Sequence, residues 1–118
     1  AHPDPPEFCR GDADAPPFAP ASFDAVVSRY VLGTLPDVSS AITAWREQLR
    51  PGGILVAVDG PESPEHGTAS VVTALELAGF EQVRVDPLPE ILELDLAGSL
   101  APGRSPRRQY RFSARRRA

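Results

Sequence analysis

Two stretches decide how this chain is read: residues 22–30, Ser22-Phe23-Asp24-Ala25-Val26-Val27-Ser28-Arg29-Tyr30, and residues 49–60, Leu49-Arg50-Pro51-Gly52-Gly53-Ile54-Leu55-Val56-Ala57-Val58-Asp59-Gly60. Each carries a short apolar run that ends in polar groups. Val26-Val27 lead into Ser28-Arg29-Tyr30, and residues 54–58 lead into Asp59-Gly60. Runs that are apolar throughout, rather than at alternate positions, mark parallel strands covered on both faces. They predict strands over residues 23–28 and 54–58, with Asp24 as a polar exception whose expected role is structural. Open α/β sheets bind ligands at the carboxyl ends of their strands, which is where these polar groups fall.

Between the two strands, Asp37 or Ser39 can cap a helix whose Ile42, Trp45 and Leu49 recur three and four residues apart. Arg46 and Arg50 sit in its last turns, where cations suit the carbonyl end of the dipole, and Pro51-Gly52-Gly53 stops it. Downstream, residues 60–67 form a polar loop with two prolines. A second helix over residues 68–78 shows Val71, Leu75 and Ala78 on one face, and Gly79 ends it before a strand over residues 80–86. Strand, helix and strand alternate here as in a right-handed parallel crossover. Residues 87–106 read equally as strand, from Leu92, Leu94 and Leu96, or as short helix, from Ile91-Leu92 and Asp95-Leu96. Tyr110 and Phe112 share one side of a last strand over residues 109–113, expected to be an antiparallel edge. Upstream, a proline-rich lead-in precedes a short strand at residues 7–10, stopped by Gly11-Asp12. Pro16, Pro17 and Pro20 then make residues 13–21 a loop.

A chain of 118 residues buries about two thirds of its extended surface, enough for one core. All twelve basic residues are arginine, which fits a GC-rich coding bias as well as any function. Charge is uneven: residues 1–103 hold five arginines against sixteen acids, whereas residues 104–118 hold seven arginines and no acid. That basic end reads as a solvated strand terminus, because the acidic body opposes nucleic acid, and no nucleic-acid partner is expected. No apolar run reaches the ~18–20 residues of a membrane span and no signal peptide is visible, so a cytoplasmic protein is expected. The absence of methionine and the start at Ala1 suggest an internal fragment of a longer protein. Cys9, the sole cysteine, excludes an intramolecular disulfide and is expected to be buried beside Phe8. His2 and His66 lack zinc-type spacing, so no metal site is expected. His66 reads as a solvated loop residue or a general base, and Asp59 as a turn cap or an acid at the ligand edge. Gly52-Gly53 follows a helix and precedes a strand, the reverse of a phosphate-binding loop.

Taken together, Gly11-Asp12-Ala13, Pro17-Phe18, residues 22–32, Leu35-Pro36-Asp37 and residues 49–53 resemble class I S-adenosylmethionine-dependent methyltransferases in order and spacing. The resemblance runs from Glu7 to about Asp59, then weakens through Leu77-Ala78-Gly79-Phe80. It implies an α/β fold: a partial Rossmann-like methyltransferase sheet, mainly parallel with an antiparallel last strand and helices on both faces, forming a single partial domain over residues 1–118. It also implies that S-adenosyl-L-methionine is the cofactor. The Asp12 carboxylate would accept from the adenine amine, the Ala13 backbone would meet the ring and Phe18 would wall it. Arg29, with Ser28 and Tyr30 beside it, would face the methionine part. The family's first strand, its glycine-rich loop and its second strand with a ribose-binding acid are absent. The strand near Phe8 must therefore lose its neighbours or slide beside residues 23–28. Gly33 stands where relatives often carry a bulky aromatic or charged residue. The expected function is methyl transfer to a small molecule as part of a longer enzyme. No catalytic residue is assigned, because in-line displacement at a sulfonium carbon needs positioning above all. The alternatives are a truncated non-catalytic α/β module that binds a partner through its exposed edge and, more remotely, a basic nucleic-acid adaptor.

Overall fold

A computed structural model describes residues 7–60, 67–89 and 109–118. Its strands are β1 (Phe23–Arg29), β2 (Leu49–Asp59), β3 (Phe80–Pro87) and β4 (Tyr110–Arg116). Its helices are α1 (Val38–Gln48) and α2 (Thr68–Leu77), with a 3-10 turn at Leu32–Thr34. His2, His66, the proline-rich lead-in and the ambiguous stretch from 90 to 106 lie outside the described residues.

The sheet order is β1-β2-β4-β3. β1 pairs parallel to β2, while β4 pairs antiparallel to both β2 and β3. The sheet is therefore mixed, with one parallel and two antiparallel ladders, and the expected mainly parallel sheet is corrected. β2 and β3 do run in the same direction around α2, as the crossover requires, but the last strand inserts between them. β4 is antiparallel as expected and interior where an edge was expected: a local pattern fixes that a strand forms, not which neighbours it finds. Residues 7–10 form no strand, and Cys9 is exposed. Without a strand partner among the described residues, an apolar dipeptide such as Phe8-Cys9 has no ladder to hold it.

Asp37 caps α1, accepting hydrogen bonds from the Ser40 amide at 3.1 Å and the Ser40 hydroxyl at 2.8 Å. Those two bonds hold its carboxyl below the ordinary value, the hydroxyl contributing most. At the other end, the Arg116 guanidinium donates to the Arg46 carbonyl at 3.0 Å and to the Leu49 carbonyl, supplying a cation where the dipole is negative. Residues 49–53 do not form a separate turn; they enter β2 as a bulge. Phe23 faces Leu49 and Ala25 faces Ile54, so four residues of β2 stand opposite one of β1. Gly53 is required there, because a Cβ would lie 2.8 Å from the Arg50 carbonyl oxygen. Arg50 pairs with the exposed Asp24 at 2.8 Å across the bulge, which gives Asp24 its structural role.

Both helices cover the same side of the sheet. Ile42 and Trp45 of α1 and Val71 and Leu75 of α2 share one core with Leu55, Ala57, Phe80, Phe112 and Ala114. The expectation of helices on both faces is corrected among the described residues, and so is that of a β1 buried on both sides. Val27 is 73% exposed and Ile54 37%, because their side chains alternate away from the helices.

Candidate functional site

A pocket of about 450 Å³ opens along β1, between that strand, α1 and the loop over residues 9–18. Its lining includes Asp12, Ala13, Phe18, Ser28, Arg29 and Trp45. The three predicted cofactor residues, Asp12, Ala13 and Arg29, thus border one cavity although they lie up to seventeen positions apart in the sequence. The walls are mainly apolar, with one carboxylate, that of Asp12, and one guanidinium, that of Arg29.

The loop is held by α1. Trp45 Nε1–H donates to the Ala13 carbonyl at 2.6 Å, and Gln48 Nε2–H donates to the Phe18 carbonyl at 2.9 Å. Within the loop, the Ala15 amide closes a tight turn on the Asp12 carbonyl at 3.1 Å. The Ala21 and Ser22 amides donate to the Glu47 and Gln48 carbonyls, which fixes the loop's exit into β1. Phe18 packs edge-on against Phe23 with ring centroids 5.0 Å apart, so the aromatic wall is anchored to the strand. Asp12 is exposed, and no donor among the described residues binds its carboxylate in this arrangement.

Arg29 ends β1 with its guanidinium over the Tyr30 ring, 4.8 Å from the centroid. Tyr30 has φ +59°, a left-handed conformation uncommon for a non-glycine residue, and its amide still donates to the Val58 carbonyl at 2.8 Å. The backbone turns sharply at this carboxyl edge, as ligand-side strand ends do. Ser28 faces the helices and is buried at 9% exposure, with no hydrogen-bond partner for its Oγ among the described residues.

Asp59, the other acid at this edge, is a cap: its Oδ2 accepts from the Leu32 amide at 2.9 Å and its Oδ1 from the Gly60 amide at 3.2 Å. Gly33 lies against it, a Cβ there falling 3.3 Å from Oδ1. The sequence did not reveal that Trp45 and Gln48 position the loop, since Trp45 fits the core stripe of α1 and Gln48 carries no local signal of its partner. The signal was present in Trp45: a buried indole N–H requires an acceptor, and the apolar stripe offers none. Among the described residues no cluster of histidine, cysteine and acidic groups is placed to hold a metal, and no helix is long and apolar enough to cross a membrane. In the basic end, Arg111 pairs with Asp86, Arg115 donates to the Gly52 carbonyl and Arg116 caps α1.

Comparison with known proteins returns a family model described as "methyltransferase domain" over residues 1–57. No curated protein matches. Among solved structures, geranyl diphosphate methyltransferase in complex with SAM is similar over 92% of this chain and 56% of its own, at 21% identity and TM-score 0.72. Phosphoethanolamine N-methyltransferase 2 of Haemonchus contortus, in complex with phosphomonomethylethanolamine and S-adenosylhomocysteine, is similar over 91% of this chain and 36% of its own, at 17% identity and TM-score 0.67. The 4+2 cyclase SpnF is similar over 95% of this chain and 56% of its own, at 20% identity and TM-score 0.68. The chain spans 36% to 56% of the lengths of these three solved structures.

Proposed function

The chain has the class I methyltransferase fold, and from that premise we propose that it serves as the carboxyl-terminal part of an S-adenosyl-L-methionine-dependent methyltransferase acting on a small molecule, residues 1–118 being a single partial domain of that longer enzyme. The observation that carries the reading is the convergence of Asp12, Ala13 and Arg29 on one pocket. The donor set suits the cofactor's adenine end: the exposed Asp12 carboxylate is an acceptor for an exocyclic amine, and Phe18 offers an aromatic wall for the ring. Ala13, pinned by Trp45, brings backbone rather than side chain to the ring edge. Arg29, at the strand end, adjoins the methionine part. The cofactor, when bound, supplies an electrophilic methyl carbon on sulfur. This chain's residues bind and orient the donor, and α1 holds the loop that does so, the kind of positioning on which in-line displacement depends. The pocket lining shows one carboxylate, so the ribose hydroxyls fall to groups elsewhere in the longer enzyme.

A small acceptor is supported by two structural neighbours, whose names specify geranyl diphosphate and phosphoethanolamine. The cyclase among the neighbours sets the limit, because one fold hosts several reactions. A specific observation also favours a second reading, a non-catalytic module: β1 has no partner on its outer edge among the described residues. Calorimetric titration with S-adenosylhomocysteine separates the two. The first reading expects saturable binding that Asp12→Ala weakens at least about tenfold, the worth of a hydrogen bond to a charged group. Equal binding by the folded variant would remove Asp12 from the site, and no binding by the folded parent chain would favour the module.

A further inference from the structure

Helix α1 ends at Gln48 and β2 begins at Leu49, so the chain passes from helix to strand with no turn residue between them. Leu49 is already extended, at φ −82° and ψ 143°, while its amide still donates back to the Arg46 carbonyl. A helix leaves its last four carbonyls without intrahelical partners. Here the loop and the last strand divide them. The Ala21 amide donates to the Glu47 carbonyl at 2.8 Å and the Ser22 amide to the Gln48 carbonyl at 2.9 Å. The Arg116 guanidinium bridges the carbonyls on either side of that pair, those of Arg46, at 3.0 Å, and Leu49. Arg116 reaches them because it continues the inward row of Phe112 and Ala114 at alternate positions of β4. The exit of the pocket loop is therefore bonded to two carbonyls that lie between the jaws of an arginine clamp.

We infer that Arg116 is a positioning residue for the pocket loop and, through the loop, for the cofactor, an inference whose second half rests on the methyltransferase reading of the pocket. Arg116 is not among the residues that line the pocket, so it acts through the α1–β2 junction. Ala21 supplies a second observation. Its φ is +54°, in the left-handed region that a residue with a Cβ seldom occupies unless its surroundings impose it. The surroundings that impose it are the end of α1: the Glu47 and Gln48 carbonyls hold residues 21 and 22, and the Gln48 side chain holds the Phe18 carbonyl. If the helix end shifts, the strained residue relaxes, and Phe18 and Gln48, both of which line the pocket, move with it. Both arginine hydrogen bonds are partly buried, where water competes less for the carbonyls. One arginine of the basic end thus bears on a site it does not touch.

The test is amide hydrogen exchange of the full chain, read by NMR, in the parent, Arg116→Gln and Arg111→Gln. Arg116→Gln, whose shorter neutral amide cannot span both carbonyls, should speed exchange at the Ala21 and Ser22 amides about tenfold, while the amides of residues 55–58 change by less than about threefold. Arg111→Gln, which removes a basic residue from the other end of the same strand, should leave Ala21 and Ser22 as in the parent. In calorimetry, S-adenosylhomocysteine should bind Arg116→Gln about fivefold more weakly and Arg111→Gln as it binds the parent. Circular-dichroism melting establishes that each variant is folded. If Arg116→Gln is not, Arg116→Lys, which keeps the charge but not the planar fork, carries the test, with a rise of about threefold at the same two amides. Unchanged exchange at Ala21 and Ser22 in the folded variant, or an equal rise at residues 55–58, would overturn the clamp. A loosened loop with unchanged affinity would overturn its bearing on the cofactor. Absence of binding by the parent chain would count against the methyltransferase reading instead, and the exchange result would still decide the clamp.

Discussion

Asp59 and Asp37 are both carboxylates that accept backbone amides, and they differ in what fixes them. Asp59 is 6% exposed and joins two segments, taking the Leu32 amide from twenty-seven positions away as well as that of its own neighbour Gly60. Asp59→Ala would leave both buried donors unpaired, so urea unfolding should show a loss of about 2–4 kcal/mol, with Asp59→Asn, which keeps one acceptor, losing about half as much. A loss below about 0.5 kcal/mol for the alanine variant would mean that water replaces the carboxylate. Asp37 acts on its own helix, and its carboxyl is held below the ordinary value of 3.8 by Ser40. A lowered folded value means a contribution that is full above the unfolded value and is lost as pH falls through the folded one. The melting temperature of Asp37→Ala should therefore lie below that of the parent at neutral pH, and the gap should close on acidification below 3.8, as followed by circular dichroism. A gap that stays constant to acid would assign the effect to the side chain's bulk rather than its charge. The sequence narrowed the cap to Asp37 or Ser39, because a cap and its amide lie three residues apart, and the structure selects Asp37. It left Asp59 undecided between cap and ligand group, because the deciding partner belongs to another segment.

At the scale of elements, α1 is the organiser of the candidate site. Its inward face supplies Ile42 and Trp45 to the core, and its last turns hold the pocket loop at Ala13 and Phe18. Trp45→Phe keeps a ring and removes the N–H, so the chain should lose about 1–3 kcal/mol of stability, and any S-adenosylhomocysteine affinity should fall with the loop's order. Trp45 is the single tryptophan, which makes its own fluorescence the readout: ligand binding in the pocket should quench or shift it. Unchanged emission on saturation by calorimetry would place the ligand elsewhere. The two helices and the apolar strand runs at residues 23–28, 54–58 and 80–86 were legible because periodicity and caps are local: Gly79, at φ +95°, ends α2 as its position predicts, whereas residues 49–53, read as helix end and turn, belong to β2. What could not be read were the pairings. Residues 7–10 have a strand-like composition and no strand partner among the described residues, and β1 looks like a doubly covered strand because its apolar residues do not record that Val27 is 73% exposed.

The last strand holds the whole molecule together. β2 and β3 share no ladder; each pairs with β4, so the β1-β2 pair and β3 belong to one sheet through Tyr110–Arg116. β4 also places Phe112 and Ala114 in the core beneath both helices and sends Arg116 to the end of α1. The arginine-rich end of the sequence therefore acts as a structural strand with a basic outer face. A chain truncated before Tyr110 would lose both ladders of β4, the β2–β4 and β4–β3 pairings, at once and expose the edges of β2 and β3. Circular dichroism should then show no cooperative thermal transition, and amide signals should collapse toward unfolded shifts. Removal of Arg117 and Ala118 alone, beyond the strand, should leave the transition within about 0.5 kcal/mol of the parent. A cooperative melt from the longer deletion would show that β2 and β3 can close on each other. The same dependence bears on any attempt to assign a role to the basic end by deleting residues 104–118: the deletion removes the centre of the sheet. Charge reversal at Arg111, whose side chain stays 49% exposed, is the informative change.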